Sequence, residues 1–217
     1  MLKMITKQNI VILLSVIVAA SVVVGAVLLT KSKETTSISQ NISDTPRELE
    51  SKSATYKKYE ALQGAAYDQA FLAGMVVHHG GALNMAEQAR AATTNQEILA
   101  IADSINEVQG KETMDMNTMQ TTLGFPVTSA HNMDNMNPGE TMDETMAMYE
   151  SLNEFSGDAF DEKFLEGMIL HHQDAIDMSF PAMKNSGSVE VKSLAVSIIS
   201  AQKEEIIGMK ELLKKMQ

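Results

Sequence analysis

Two segments of this chain are copies of one another, and each carries a His-His pair. Asp68, Phe71, Leu72, Gly74, Met75, His78, His79, Ala82 and Met85 recur as Asp161, Phe164, Leu165, Gly167, Met168, His171, His172, Ala175 and Met178, always 93 positions later. Tyr56, Tyr59 and Leu62 find Tyr149, Leu152 and Phe155 at the same offset. Four of the five histidines belong to the two pairs. A repeated unit of this kind buries its apolar face against its copy, so the duplication constrains the fold more than any other feature.

The apolar spacing within each copy is helical. Phe71, Leu72, Met75, Val76, Leu83 and Ala86 follow a helical stripe, which predicts a helix over Asp68 to Thr93. Ile98, Ile101, Ala102, Ile105 and Val108 continue it in a second helix beyond the Ala92-Thr-Thr-Asn95 break. In the other copy, Asp161 to Lys184 pairs with Val189 to Met216 across Asn185-Ser-Gly187-Ser. Two hairpins related by duplication predict an all-α, four-helix bundle. The expected layout is repeat 1 at about 51–123, a Met-rich linker at about 124–143 and repeat 2 at about 144–217.

Residues three, four and seven apart share a helix face. Met75, His78 and Met85 therefore lie close to one line, with His79 on its flank and Ala82 keeping the middle shallow. Met168, His171, His172, Ala175 and Met178 repeat the arrangement. Methionine at such spacing is ordinarily core filler, and Met75 and Met168 taken singly fit that role. Two adjacent histidines kept in both copies are harder to assign to packing. Buried imidazoles need partners, and a metal ion is one. The two faces supply two Met-His clusters or one shared site.

Eight of the 17 methionines fall between 114 and 148. Met114, Met116 and Met119 form Met-x-Met-x-x-Met, and His131, Met133 and Met136 lie in a polar Asn- and Asp-rich stretch with little core to fill. Thioether sulfur suits Cu(I), and imidazole binds both copper oxidation states. With no Cys in the chain, thiolate sites and disulfides are excluded and copper is favoured over structural zinc. Di-iron chemistry calls for Glu-x-x-His, but Met75 and Met168 stand three residues before His78 and His171. Phosphate-binding loops and a nucleophile elbow are missing too. No catalytic constellation is recognised, so the chain reads as a non-enzyme.

The run Ile10–Leu29 holds 20 uncharged residues, flanked by Lys3 and Lys7 before and Lys31 and Lys33 after. It is long enough to span a bilayer. Its length, and the want of a small-x-small site behind it, favour an uncleaved signal anchor over a cleaved signal peptide. Residues 31–50 are polar and read as a linker. All 28 acidic residues but only 15 of the 17 basic ones lie after residue 30, a formal charge of −13 there. No basic patch is available for phosphates, which argues against nucleic acid as a partner.

The doubled pattern Asp-x-x-Phe-x-x-x-Met-x-x-His-His-x-x-Ala-x-x-Met resembles the DUF305 family of exported helical domains, some of whose members bind copper. A second motif, Ala-x-x-Ile-x-x-x-Gln-x-x-Glu, occurs at Ala102, Ile105, Gln109 and Glu112 and again at Ala195, Ile198, Gln202 and Glu205. The resemblance covers about residues 50–217. It implies a ferritin-like bundle and metal binding through the Met and His positions. The chain departs from the pattern in having no Trp and in placing Val77 and Leu170 where Pro is common before the His pair. Together these features predict a membrane-anchored, extracytoplasmic protein that binds copper, as Cu(I), for sequestration, tolerance or transfer to copper-handling partners. A copper- or iron-dependent oxidase and a metal-free interaction module are the alternatives.

Overall fold

The computed structural model describes residues 53–129 and 149–216. The apolar run 10–29, the linker 31–50, and His131, Met133 and Met136 lie outside the described residues. Among those described, no helix is long and apolar enough to cross a membrane. They are almost entirely helical, with one isolated parallel bridge between Gly64 and Ser186.

A short helix α1, Ala54–Glu60, precedes the first long hairpin, α2 (Ala65–Ala92) and α3 (Gln96–Leu123). The second hairpin is α4 (Gly157–Ser179) and α6 (Val189–Met216), with one turn, α5 (Ala182–Asn185), between them. Local signals set these ends. The Asn95 side chain accepts from Glu97 N at 3.0 Å and starts α3. Gly124, at φ 75°, ends it in the left-handed conformation that favours glycine, while Phe125 N donates to Gln120 O at 2.8 Å. The second copy departs from its expected continuous helix over Asp161 to Lys184. Pro181 has no N–H to donate to the carbonyl four residues back, so α4 stops at Ser179 and α5 forms separately.

Each hairpin packs on itself, and α2 crosses α4. The crossing is antiparallel: Tyr67 near the start of α2 donates its hydroxyl to Met178 O near the end of α4 at 2.9 Å, whereas His78 meets His171 further along. The repeat motif's aspartates clasp the two units reciprocally. Asp68 accepts from Ser186 Oγ at 2.5 Å and Gly187 N at 3.1 Å, in the turn before α6. Asp161 accepts from Asn95 Nδ2 at 2.8 Å, in the turn before α3. Each unit thus pins the interhelix turn of the other.

The core falls into two apolar clusters. One holds Ala82, Met85, Ile98, Ile105, Phe164, Met168, Ile206 and Met209. The other holds Tyr67, Phe71, Met75, Met116, Met178, Leu194 and Ile198. Both draw on all four long helices, so the two units share one interior. Full burial of such a side chain contributes roughly 1.5–3 kcal/mol, against about 1 kcal/mol for a helix cap; the clusters, not the caps, hold the bundle together.

Candidate metal centre

A polar layer crosses the core between the two clusters. On α2 it lies between Val76 and Ala82, on α3 between Ile105 and Met116, and on α6 between Ile198 and Ile206. Its members are His78 and His79, His171 and His172, Gln109 and Gln202, all buried. The two faces make one shared layer. The His78 and His171 rings lie with centroids 3.7 Å apart, tilted by 40°, at the crossing of α2 and α4. His79 and His172 flank them, with centroids 6.5 and 6.3 Å from their chain neighbours. Ala82 and Ala175, one turn on from each first histidine, are fully buried and small, which leaves the rings room to meet.

The second histidine of each pair turns away from the crossing. His79 Nε2 lies 2.8 Å from Glu112 Oε2 on α3, and His172 Nε2 lies 2.7 Å from Glu205 Oε2 on α6. The repeat is exact here, down to the same separation of 33 residues. The first histidines are not equivalent. His78 Nε2 is 3.5 Å from Asp174 Oδ2, whose other oxygen accepts from Thr55 Oγ1 of α1 at 2.6 Å. The counterpart of Asp174 in the first copy is Gly81, so no carboxylate at that repeat position is offered to His171.

This asymmetry sets the protonation of the layer. Burial pushes the His171 pKa well below the ordinary 6.5, and the charges of His78, His172 and His79 push it in the same direction against a smaller opposing effect of the His78 backbone. Burial also lowers His78, but the Asp174 carboxylate partly offsets it. Burial raises Asp174, yet His78, the Thr55 hydroxyl and Lys58 outweigh it and hold the carboxyl below its usual value. Burial thus favours the neutral form of the His171 imidazole, which keeps one ring lone pair.

Neither ring nitrogen of His78 or His171 has a hydrogen-bond partner, and Nδ1 of His79 and His172 has none either. Both amide atoms of Gln109 and of Gln202 are likewise buried without a partner. So many unmet polar atoms in one core layer are costly, and a bound ion would satisfy the imidazole lone pairs. Among the described residues, no three His, Asp or Glu side chains converge as a ready-made cage. What the layer offers is imidazole nitrogen with thioether in the adjoining layers, a donor set that fits soft ions.

Met75 and Met178 lie in the apolar cluster on one side of the histidines, and Met85 and Met168 in the cluster on the other. All four are buried. Met114, Met116 and Met119 do not share one surroundings: Met114 is 63 % exposed, Met116 is fully buried, and Met119 packs at the edge of the same cluster as Met116.

The helical bundle agrees with what the chain is similar to. The family model "Domain of unknown function (DUF305)" matches residues 30–213. The chain belongs to the DUF305 family. Among solved structures, CopM in its Cu(II)-bound form is 30 % identical, with a TM-score of 0.59 over 72 % of this chain and 99 % of CopM. CopM in its Cu(I)-bound form is 28 % identical, with a TM-score of 0.55 over 68 % of this chain and 96 % of CopM. A DUF305 fragment from Deinococcus radiodurans shares the fold at 24 % identity, with a TM-score of 0.60 over 68 % of this chain and 95 % of the fragment. CopM has also been solved with silver bound. A comparison with curated proteins finds no match.

The histidines stand out in the sequence, but their carboxylates do not. Glu112 and Glu205 were visible only as the last position of the second motif. The signal that finds them is the equal spacing from His79 and His172. Asp174 carries no such signal, because it breaks the repeat.

Proposed function

We propose that this DUF305 protein binds copper, preferentially Cu(I), and sequesters it or hands it on without catalytic turnover. The observation that carries the reading is the buried His78–His171 pair, whose four ring nitrogens lack hydrogen-bond partners. Copper and silver bound to CopM support it. His78 and His171 would hold the ion, with His79 and His172 beside them and Met75, Met85, Met168 and Met178 as the soft donors nearest the layer. A ferritin-like bundle suits this task, since side chains on facing helices converge in its interior. The apolar run Ile10–Leu29 would anchor the domain on the extracytoplasmic side; its support is the sequence alone.

The test is a Cu(I) titration of the full chain in detergent against a competing chelator. Wild-type protein should compete, and the variant with both His78→Ala and His171→Ala should lose the tightest component. Copper-loaded protein should consume no oxygen beyond free copper. Unchanged binding in the double variant overturns the assignment. A further variant at His131, Met133 and Met136 should remove a separate, weaker component.

A further inference from the structure

Each second histidine has one nitrogen committed and one free. An ionised carboxylate only accepts hydrogen bonds. Opposite ionised carboxylates, the Nε2 atoms of His79 and His172, at 2.8 Å from Glu112 and 2.7 Å from Glu205, would carry the ring hydrogens. A neutral imidazole with its hydrogen on Nε2 has its lone pair on Nδ1. Those Nδ1 atoms are buried and unpartnered in both copies, and both rings are fully buried. A staple between helices would need the Nε2 contact alone. It would not need a lone pair held in the core without a partner, twice, at identical spacing.

We propose that Glu112 and Glu205 are positioning residues that fix the tautomer of His79 and His172, so that each presents Nδ1, not Nε2, to a soft metal ion in the layer. The proposal rests on the copper-binding reading. Carboxylates behind metal-binding histidines orient the ring and raise its basicity, and losing one commonly costs about 10- to 100-fold in affinity. Here the carboxylate comes from a different helix of the same hairpin, α3 for His79 and α6 for His172. Metal affinity is thereby coupled to the packing of each hairpin. Glu112 and Glu205 lie at the edge of the core, with side chains 16 % and 12 % exposed, so they stay near water while the rings do not.

The experiment uses nitrogen NMR on the full chain in detergent with labelled histidine, metal-free and then titrated with silver(I). In the metal-free wild type, His79 and His172 should show hydrogen on Nε2 and a bare Nδ1. Silver should shift Nδ1 and leave Nε2 protonated. Glu112→Gln and Glu205→Gln keep size and shape but let the amide donate as well as accept. They should give mixed tautomers and about 10- to 100-fold weaker silver binding, with circular dichroism unchanged. A wild type with hydrogen on Nδ1, or silver binding that leaves both Nδ1 signals in place, overturns the proposal while the His78–His171 assignment stands. A chain that binds neither silver nor copper overturns both readings. The wild-type spectra decide the matter even if a glutamine variant fails to fold.

Discussion

Replacing His171 by Leu should make the metal-free protein more stable and the metal-loaded protein less so. His171 is 2 % exposed, and both its ring nitrogens lack hydrogen-bond partners. A buried polar group in that state costs roughly 1–3 kcal/mol, and an apolar group of similar size removes the cost. For a domain of this length, each kcal/mol moves Tm by about 2–4 °C, so the apo variant should melt about 2–12 °C higher. Binding works the other way. Silver at 100 times its Kd should stabilise wild type by about 2.7 kcal/mol, or about 5–11 °C by the same conversion. The variant should lose most of that gain. The assay is a pair of thermal melts, with and without silver(I), followed by circular dichroism. A lower apo Tm in His171→Leu would mean that the imidazole is already satisfied in the metal-free state, which would refute the reasoning from unmet nitrogens.

Four further outcomes follow from the same geometry. The metal-free protein should lose stability as pH falls below about 6.5, the ordinary His value. The unfolded chain takes up protons there while His171, and to a lesser degree His78, stays neutral, so the loss runs at up to about 1.4 kcal/mol per pH unit per group. His171→Leu should flatten that slope in urea melts between pH 7 and 5, and an unchanged slope would move the effect elsewhere. Gly74→Ala should destabilise by about 1–3 kcal/mol, because a Cβ there would collide with Tyr59 Oη and lie 3.1 Å from Met178 Cε. Tyr59→Phe in the same chain should recover part of the loss, and simple additivity of the two changes would refute the contact. Asp68→Ala should cost more than Asp161→Ala in denaturant melts, since Asp68 accepts two hydrogen bonds from the opposite turn and Asp161 one; hydrogen bonds to a charged group are worth roughly 1.5–3 kcal/mol each.

The helices were legible because each long one carries apolar residues at helical spacing on both sides of its polar layer, and the hairpin turns because Asn95 and Gly187 sit where caps and breaks belong. The break at Pro181 was written in the sequence but outvoted by the stripe on both sides of it. The reach of each aspartate across to the other unit was not legible, since Asp68 and Ser186 lie 118 residues apart and only the antiparallel crossing of α2 and α4 brings them together. Duplication explains why part of the site was nonetheless visible. When two copies pack about an approximate two-fold, a residue near the axis meets its own counterpart, so His78 was bound to find His171. Away from the axis some residues keep partners within their own copy, as His79 does with Glu112, and others reach across in matched pairs, as Asp68 and Asp161 do. Asp174 has no counterpart: Gly81 stands at its repeat position, and the pair that symmetry would make alike becomes one imidazole beside a carboxylate and one without. That inequality makes the two rings electrostatically distinct. On the copper-binding reading, His171, whose pKa burial lowers and which no carboxylate at position 81 opposes, would be the ring an incoming soft ion meets with its lone pair free, and Gly81→Asp should reduce the difference between the two rings.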